Sequence, residues 1–167
     1  MKSTRDLTRL ALLTAAALVL GYIEGLFPAL VPGVPGIKLG LANTVLLYAV
    51  YLLPPGSAWA LMLAKVVLSS ALYAGFGTAL FSLGGGVLSL GAMLLVRRLS
   101  GESVSVVAVS VLGAACHNLG QSLVFAAVGS ARAALFYLPY LLLAAIVTGA
   151  LTGVVARYAM RAIPGGK

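Results

Sequence analysis

The chain is a succession of apolar runs, each about as long as a bilayer is thick and each closed by glycine, proline or charge. Six runs are legible, approximately 7–31, 38–54, 58–76, 79–98, 104–128 and 133–160. A hydrocarbon core about 30 Å thick is crossed by about 17 to 25 helical residues, so each run has the length of a membrane span. The runs are continuously apolar rather than alternating, which excludes a β-barrel. The expected fold is an all-α membrane protein of six transmembrane helices forming one domain over 1–167. The boundary at 74–80 is the weakest, because it carries no charge.

Composition argues the same way. Charged residues are 8% of the chain and hydrophobic residues 62%, whereas a soluble domain carries about 25% charged residues. A net charge of +8 would suit nucleic acid. The basic residues, however, sit in short flanks between apolar runs, the pattern of topology signals, so no nucleic-acid partner is expected. With six spans, Lys2, Arg5, Arg9, Arg97, Arg98, Arg157, Arg161 and Lys167 share one side, and Lys38 and Arg132 fall on the other. Basic loops stay inside, so both termini are expected in the cytoplasm of a multi-pass plasma-membrane protein. The basic start Met1–Arg9 resembles the front of a signal peptide, but the apolar run behind it is too long for one and reads as a retained first helix.

Against this background a few polar residues are stranded inside the spans: Glu24, Asn43, Lys65, Ser69, Tyr73, His117, Asn118 and Gln121, with Lys38 at a span end. An ionisable group at the bilayer centre costs about 2.5–3.5 kcal/mol on insertion scales, so it normally faces a cavity or a partner. His117 and Gln121 are four apart with Asn118 adjacent, and all three share one helical face. Lys65, Ser69 and Tyr73 form a similar stripe. At about 1.5 Å per residue, the predicted topology places Glu24, Asn43, Ser69, Tyr73, His117, Asn118 and Gln121 between the midplane and the outer surface, where they form a candidate pocket if their faces converge. The alternative is that His117, Asn118 and Gln121 only hydrogen-bond neighbouring helices, and that Glu24 pairs with Lys38 or His117. Lys38 either snorkels to the interface or caps an anionic ligand. Lys65 lies nearer the cytoplasmic side and is expected to snorkel or pair, because its Cα–Cβ bond tilts that way. Trp59 reads as an interfacial anchor.

Small residues recur at close spacing: Ala11/Ala15, Gly21/Gly25, Gly84/Gly85/Gly86 with Gly91, and Gly149/Gly153. Such spacing lets membrane helices approach closely. Internal packing explains most of these, and Ala11/Ala15 is the pair best placed to dock another membrane subunit.

Several chemistries lack their residues. There is no phosphate-cradling Walker loop and no HExxH, so neither ATP hydrolysis nor that metal site is expected. Asp6, Glu24 and Glu102 are the only acidic residues and share no motif, which disfavours Mg²⁺-diphosphate catalysis. No GxSxG nucleophile motif occurs. The lone Cys116 excludes an internal disulfide. No cofactor, no metal and no catalytic residue are expected.

Three segments carry a family resemblance: Pro35-Gly-Ile-Lys-Leu-Gly-Leu-Ala-Asn43, Phe81-Ser-Leu-Gly-Gly-Gly-Val-Leu-Ser89 and His117-Asn-Leu-Gly-Gln121. They resemble the membrane family labelled heptaprenyl diphosphate synthase component I, also called the Gx transporter family. That family in turn is similar to the substrate-binding S components of energy-coupling factor (ECF) transporters. The S-component resemblance implies six helices, a vitamin-like ligand bound in the outer half, docking of Ala11 and Ala15 onto a transmembrane coupling subunit, and two cytoplasmic ATPases supplying energy. The family label instead implies a synthase component. The chain lacks the aspartate-rich motif of prenyl diphosphate synthases, so that alternative is a non-catalytic membrane subunit of isoprenoid diphosphate or quinone synthesis. The expected function is capture of a small vitamin-like or cofactor-precursor molecule for uptake.

Overall fold

A computed structural model describes residues 4–26, 40–101 and 103–162. Six helices follow one another: α1 (Thr4–Leu26), α2 (Leu41–Leu52), α3 (Pro55–Ser69), α4 (Ala79–Ser100), α5 (Val106–Val128) and α6 (Ala131–Ala162). Among the described residues every regular element is helical. Local chemistry sets several ends. Pro55 opens α3 at its first turn, where a missing N–H costs nothing. Ser105 caps α5 by accepting the Ala108 N–H at 3.1 Å. Arg97 and Arg98 occupy the last turn of α4, beside its negative end.

Five of the expected spans are present as long apolar helices, counting the turn that continues α3 to Ala74. Two details differ. The weak boundary at 74–80 is a single wide π turn, Ser70–Ala74, then Gly75 and a short 3-10 turn, Phe76–Thr78. Gly75 makes the break, because its φ of 78° is a backbone state that side chains disfavour. The second run, expected over 38–54, yields a helix of only 12 residues. At about 18 Å it is shorter than the hydrocarbon core. Its start at Gly40, again with φ 78°, lies within the bundle beside the cavity described below. At the other extreme α6 runs 32 residues with Pro139 inside it.

The helices close into a ring in the order α1, α3, α4, α5, α6, α2, with α2 also touching α3 and α4. Contact is most extensive between α5 and α6 and between α4 and α5. Glycine explains the closeness. A Cβ on Gly84 would meet the Gly120 carbonyl oxygen at 3.1 Å, and one on Gly120 would run into the Gly84 carbonyl oxygen. Likewise Gly149 and Gly153 lie on the Val111 and Val107 Cα atoms at 2.7 and 2.8 Å from their would-be Cβ. These pairs are internal packing. Gly25 and Gly91, by contrast, have nothing within 4 Å of an added Cβ.

A core of Ala17, Leu46, Leu47, Leu61, Met62, Leu90, Met93 and Val109 fills one half of the ring. Leu10, Leu53, Trp59, Val96, Val106 and Met160 pack against it, so the helix ends that carry them share the end where α1 begins and α6 finishes. Outside, large apolar side chains such as Leu12, Val67, Leu72, Leu135 and Val147 are more than half exposed. A surface of this kind is suited to lipid rather than water.

Candidate functional site

The bundle is not solid along its axis. It holds a cavity of about 160 Å³ to which all six helices contribute. Of the residues anticipated for a pocket, Glu24, Asn43, Tyr73, His117, Asn118 and Gln121 all line it. Lys38 lies outside the described residues.

Each is held in a distinct way. The Glu24 carboxylate is 8% exposed and accepts the backbone N–H of Gly40, tying α1 to the start of α2. A negative charge there also answers the positive end of α2. The Asn43 backbone N–H closes the first turn on the Gly40 carbonyl at 2.8 Å, which points its side chain into the cavity. Asn118 gives its amide N–H to the Leu141 carbonyl at 2.7 Å, stitching α5 to α6. Asn118 thus makes an interhelical hydrogen bond and also lines the cavity. Tyr73 forms a wall: its hydroxyl donates to the Leu18 carbonyl at 3.2 Å, and its ring meets Tyr22 edge-on at 5.6 Å. His117 lies against Gly85, where a Cβ would stand 2.8 Å from the imidazole. A larger residue at 85 would displace the ring.

Of the two expectations for Lys65, pairing is the one realised. It does not snorkel toward the near interface; the residue lines the cavity, and Nζ donates to Asn43 Oδ1 at 3.2 Å. The tilt of the Cα–Cβ bond governs where a side chain starts, not where a four-carbon stem ends. Register was the better guide. Lys65 lies four residues after Leu61 and four before Ser69, both buried, and so on the inward face of α3.

Sequence reasoning missed a set of hydroxyls on the far wall: Ser82, Ser89, Ser110, Thr148 and Thr152 all line the cavity. The Thr152 hydroxyl donates to the Thr148 carbonyl at 2.9 Å, so in the 3.0 Å contact between Ser110 and Thr152 the serine is the donor. Serine and threonine readily bond back to their own helix, so residue type alone says little. Their spacing did carry a signal, since Ser110 lies seven residues before His117 on the same face of α5. At the cavity floor Met62 and Met93 slot into notches left by Gly86 and Gly113, with sulfur 2.9 and 2.6 Å from the would-be Cβ atoms.

Ring and cavity together define a polytopic helical membrane protein with a polar chamber inside its bundle. The chain belongs to the heptaprenyl diphosphate synthase component I family, whose model matches residues 13–159. No curated protein and no solved structure matches the chain. The resemblance to S components therefore has no counterpart among these comparisons.

Proposed function

We propose that this chain is a non-catalytic membrane subunit that holds a small polar molecule in the cavity between its helices. The observation that carries the reading is convergence: polar side chains on all six helices face one chamber inside a bundle whose outside is apolar. Desolvated polar groups on every wall would be a costly way to build a merely structural core. The family description favours work alongside a prenyl diphosphate synthase, with a catalytic partner carrying the aspartate-rich chemistry absent here.

The cavity itself favours a second reading, the capture of a small vitamin-like molecule or cofactor precursor from outside for uptake. Its volume of about 160 Å³ lies below the usual 300–1,000 Å³ of drug-sized sites and near the engineered 150 Å³ cavity that accepts benzene. That space suits a small ring or a headgroup, not a heptaprenyl chain. Ala11 and Ala15 are exposed on α1, which leaves them available to a coupling subunit working with cytoplasmic ATPases.

Native mass spectrometry of the gently purified protein tests both. A co-purifying small molecule lost from His117→Ala and Gln121→Ala variants is the expected result. Co-purification of a prenyl synthase subunit supports the first reading, and of an ATPase module the second. Absence of any bound molecule, with no stabilisation by a panel of vitamins, flavins and isoprenoid precursors, would overturn the ligand reading.

A further inference from the structure

Tyr73 lines the cavity, yet it is also 37% exposed, and the ring it meets edge-on, Tyr22 of α1, is 51% exposed. At this point the wall of the chamber is a single side chain. It is seated in a fitted notch. The tyrosine hydroxyl lies over Gly21, 2.8 Å from where a Cβ would stand, and it donates to the Leu18 carbonyl at 3.2 Å. Leu18 and Gly21 lie about 12 and 8 Å below the end of α1 at Leu26, so the contact sits within the apolar span rather than at its rim. The surface around it suits lipid, since Leu72 and Phe76 are largely exposed. The ring is carried on the wide π turn Ser70–Ala74, which the Gly75 N–H closes on the Ser70 carbonyl at 3.1 Å. Turns of this kind recur at functional sites.

We infer that Tyr73 is the door of a lateral opening between α1 and α3, and that the molecule held is a single-chain amphiphile. Its polar head occupies the chamber, and its chain passes between the two helices into the lipid. This deepens the ligand-holding reading and rests on it. Volume argues the same way, because about 160 Å³ takes a headgroup and leaves no room for a chain. A chain that stays among lipid tails loses nothing, since they are as apolar as leucine. Entry through water would instead expose every methylene. Opening asks the ring to leave the Gly21 notch and give up its bond to Leu18.

The test uses the full chain in phosphatidylcholine nanodiscs. In a Cys116→Ala background, Ser69→Cys places a thiol on the chamber wall. N-dodecylmaleimide approaches it from the lipid, and a sulfonated maleimide from water. Adding Tyr73→Phe removes the bond to Leu18 and is expected to speed the dodecyl reagent about two- to tenfold. Tyr73→Ala removes the door and is expected to speed it by more than about tenfold. The sulfonated reagent keeps its parent rate in both. Ser82→Cys, lining the cavity from α4, decides if Ser69→Cys does not fold. Equal acceleration of both reagents, or of neither, overturns the door, while a co-purifying small molecule would leave the ligand-holding reading standing. Farnesol and farnesyl phosphate, each with a diazirine at the chain end, probe the pose. Photolabelling of Tyr22, Leu72 or Phe76 that excess unlabelled probe suppresses is the expected result. Suppressible labelling of Asn118 or Gln121 puts the chain inside and overturns the inference, as does labelling that no competitor suppresses. If nothing co-purifies either, the ligand site falls with it.

Discussion

At the scale of single residues, Glu24 and Asn118 show two uses of polarity inside an apolar bundle. Glu24 is a clamp on a helix start, and Asn118 is a stitch between helix backbones. Glu24→Leu leaves a buried N–H without its acceptor, a loss of about 1–3 kcal/mol. Glu24→Gln keeps an acceptor oxygen and is expected to recover most of that. Asn118→Leu is expected to cost less, because interhelical hydrogen bonds in membranes average about 0.6 kcal/mol. Equilibrium unfolding in mixed detergent ranks the three, and a Glu24→Leu protein as stable as the parent would remove the clamp. Much of this scale was legible beforehand. His117, Asn118 and Gln121 share a face by helical period alone, and polar residues in apolar runs identify themselves. The position of the Lys65 amine was not legible, because a long flexible stem leaves its end undetermined by backbone direction.

At the scale of elements, the glycines separate into those that bring helices together and those that do not. Gly120→Ala pushes a methyl into the Gly84 backbone and must part α4 from α5, an overpacking cost of about 1–3 kcal/mol. Gly91→Ala on the same α4 meets open space and is expected to be neutral or slightly stabilising, by up to about 1 kcal/mol through helix propensity. Thermal denaturation of both variants checks the contrast. Spacing of small residues revealed where such contacts were possible, yet Gly84 and Gly91 look alike in sequence. Only the partner helix distinguishes them. The same limit applies to α2, whose apolar run promised a full span: hydropathy registers that a residue avoids water, not whether it belongs to a helix.

At the scale of the whole molecule, the described arginines divide between the two ends of the bundle. Arg5, Arg9, Arg97, Arg98, Arg157 and Arg161 lie toward the end with the apolar core, and Arg132 follows the loop at the other. Basic flanks favour the cytoplasm. In a Cys116→Ala background, a membrane-impermeant maleimide is therefore expected to label Arg132→Cys in intact cells, and Arg98→Cys only after permeabilisation. The reverse pattern would invert the protein and turn the cavity inward.

The tight glycine contacts have a mechanical consequence. They join α4, α5 and α6 backbone to backbone into a stiff slab, whereas α1, α2 and α3 meet the slab mainly through side chains and so lean on it more compliantly. The seam between slab and trio runs through the chamber. Lys65 and Asn43 stand on the yielding side and His117 on the rigid one, so any widening of the chamber separates these two walls while each keeps its own shape.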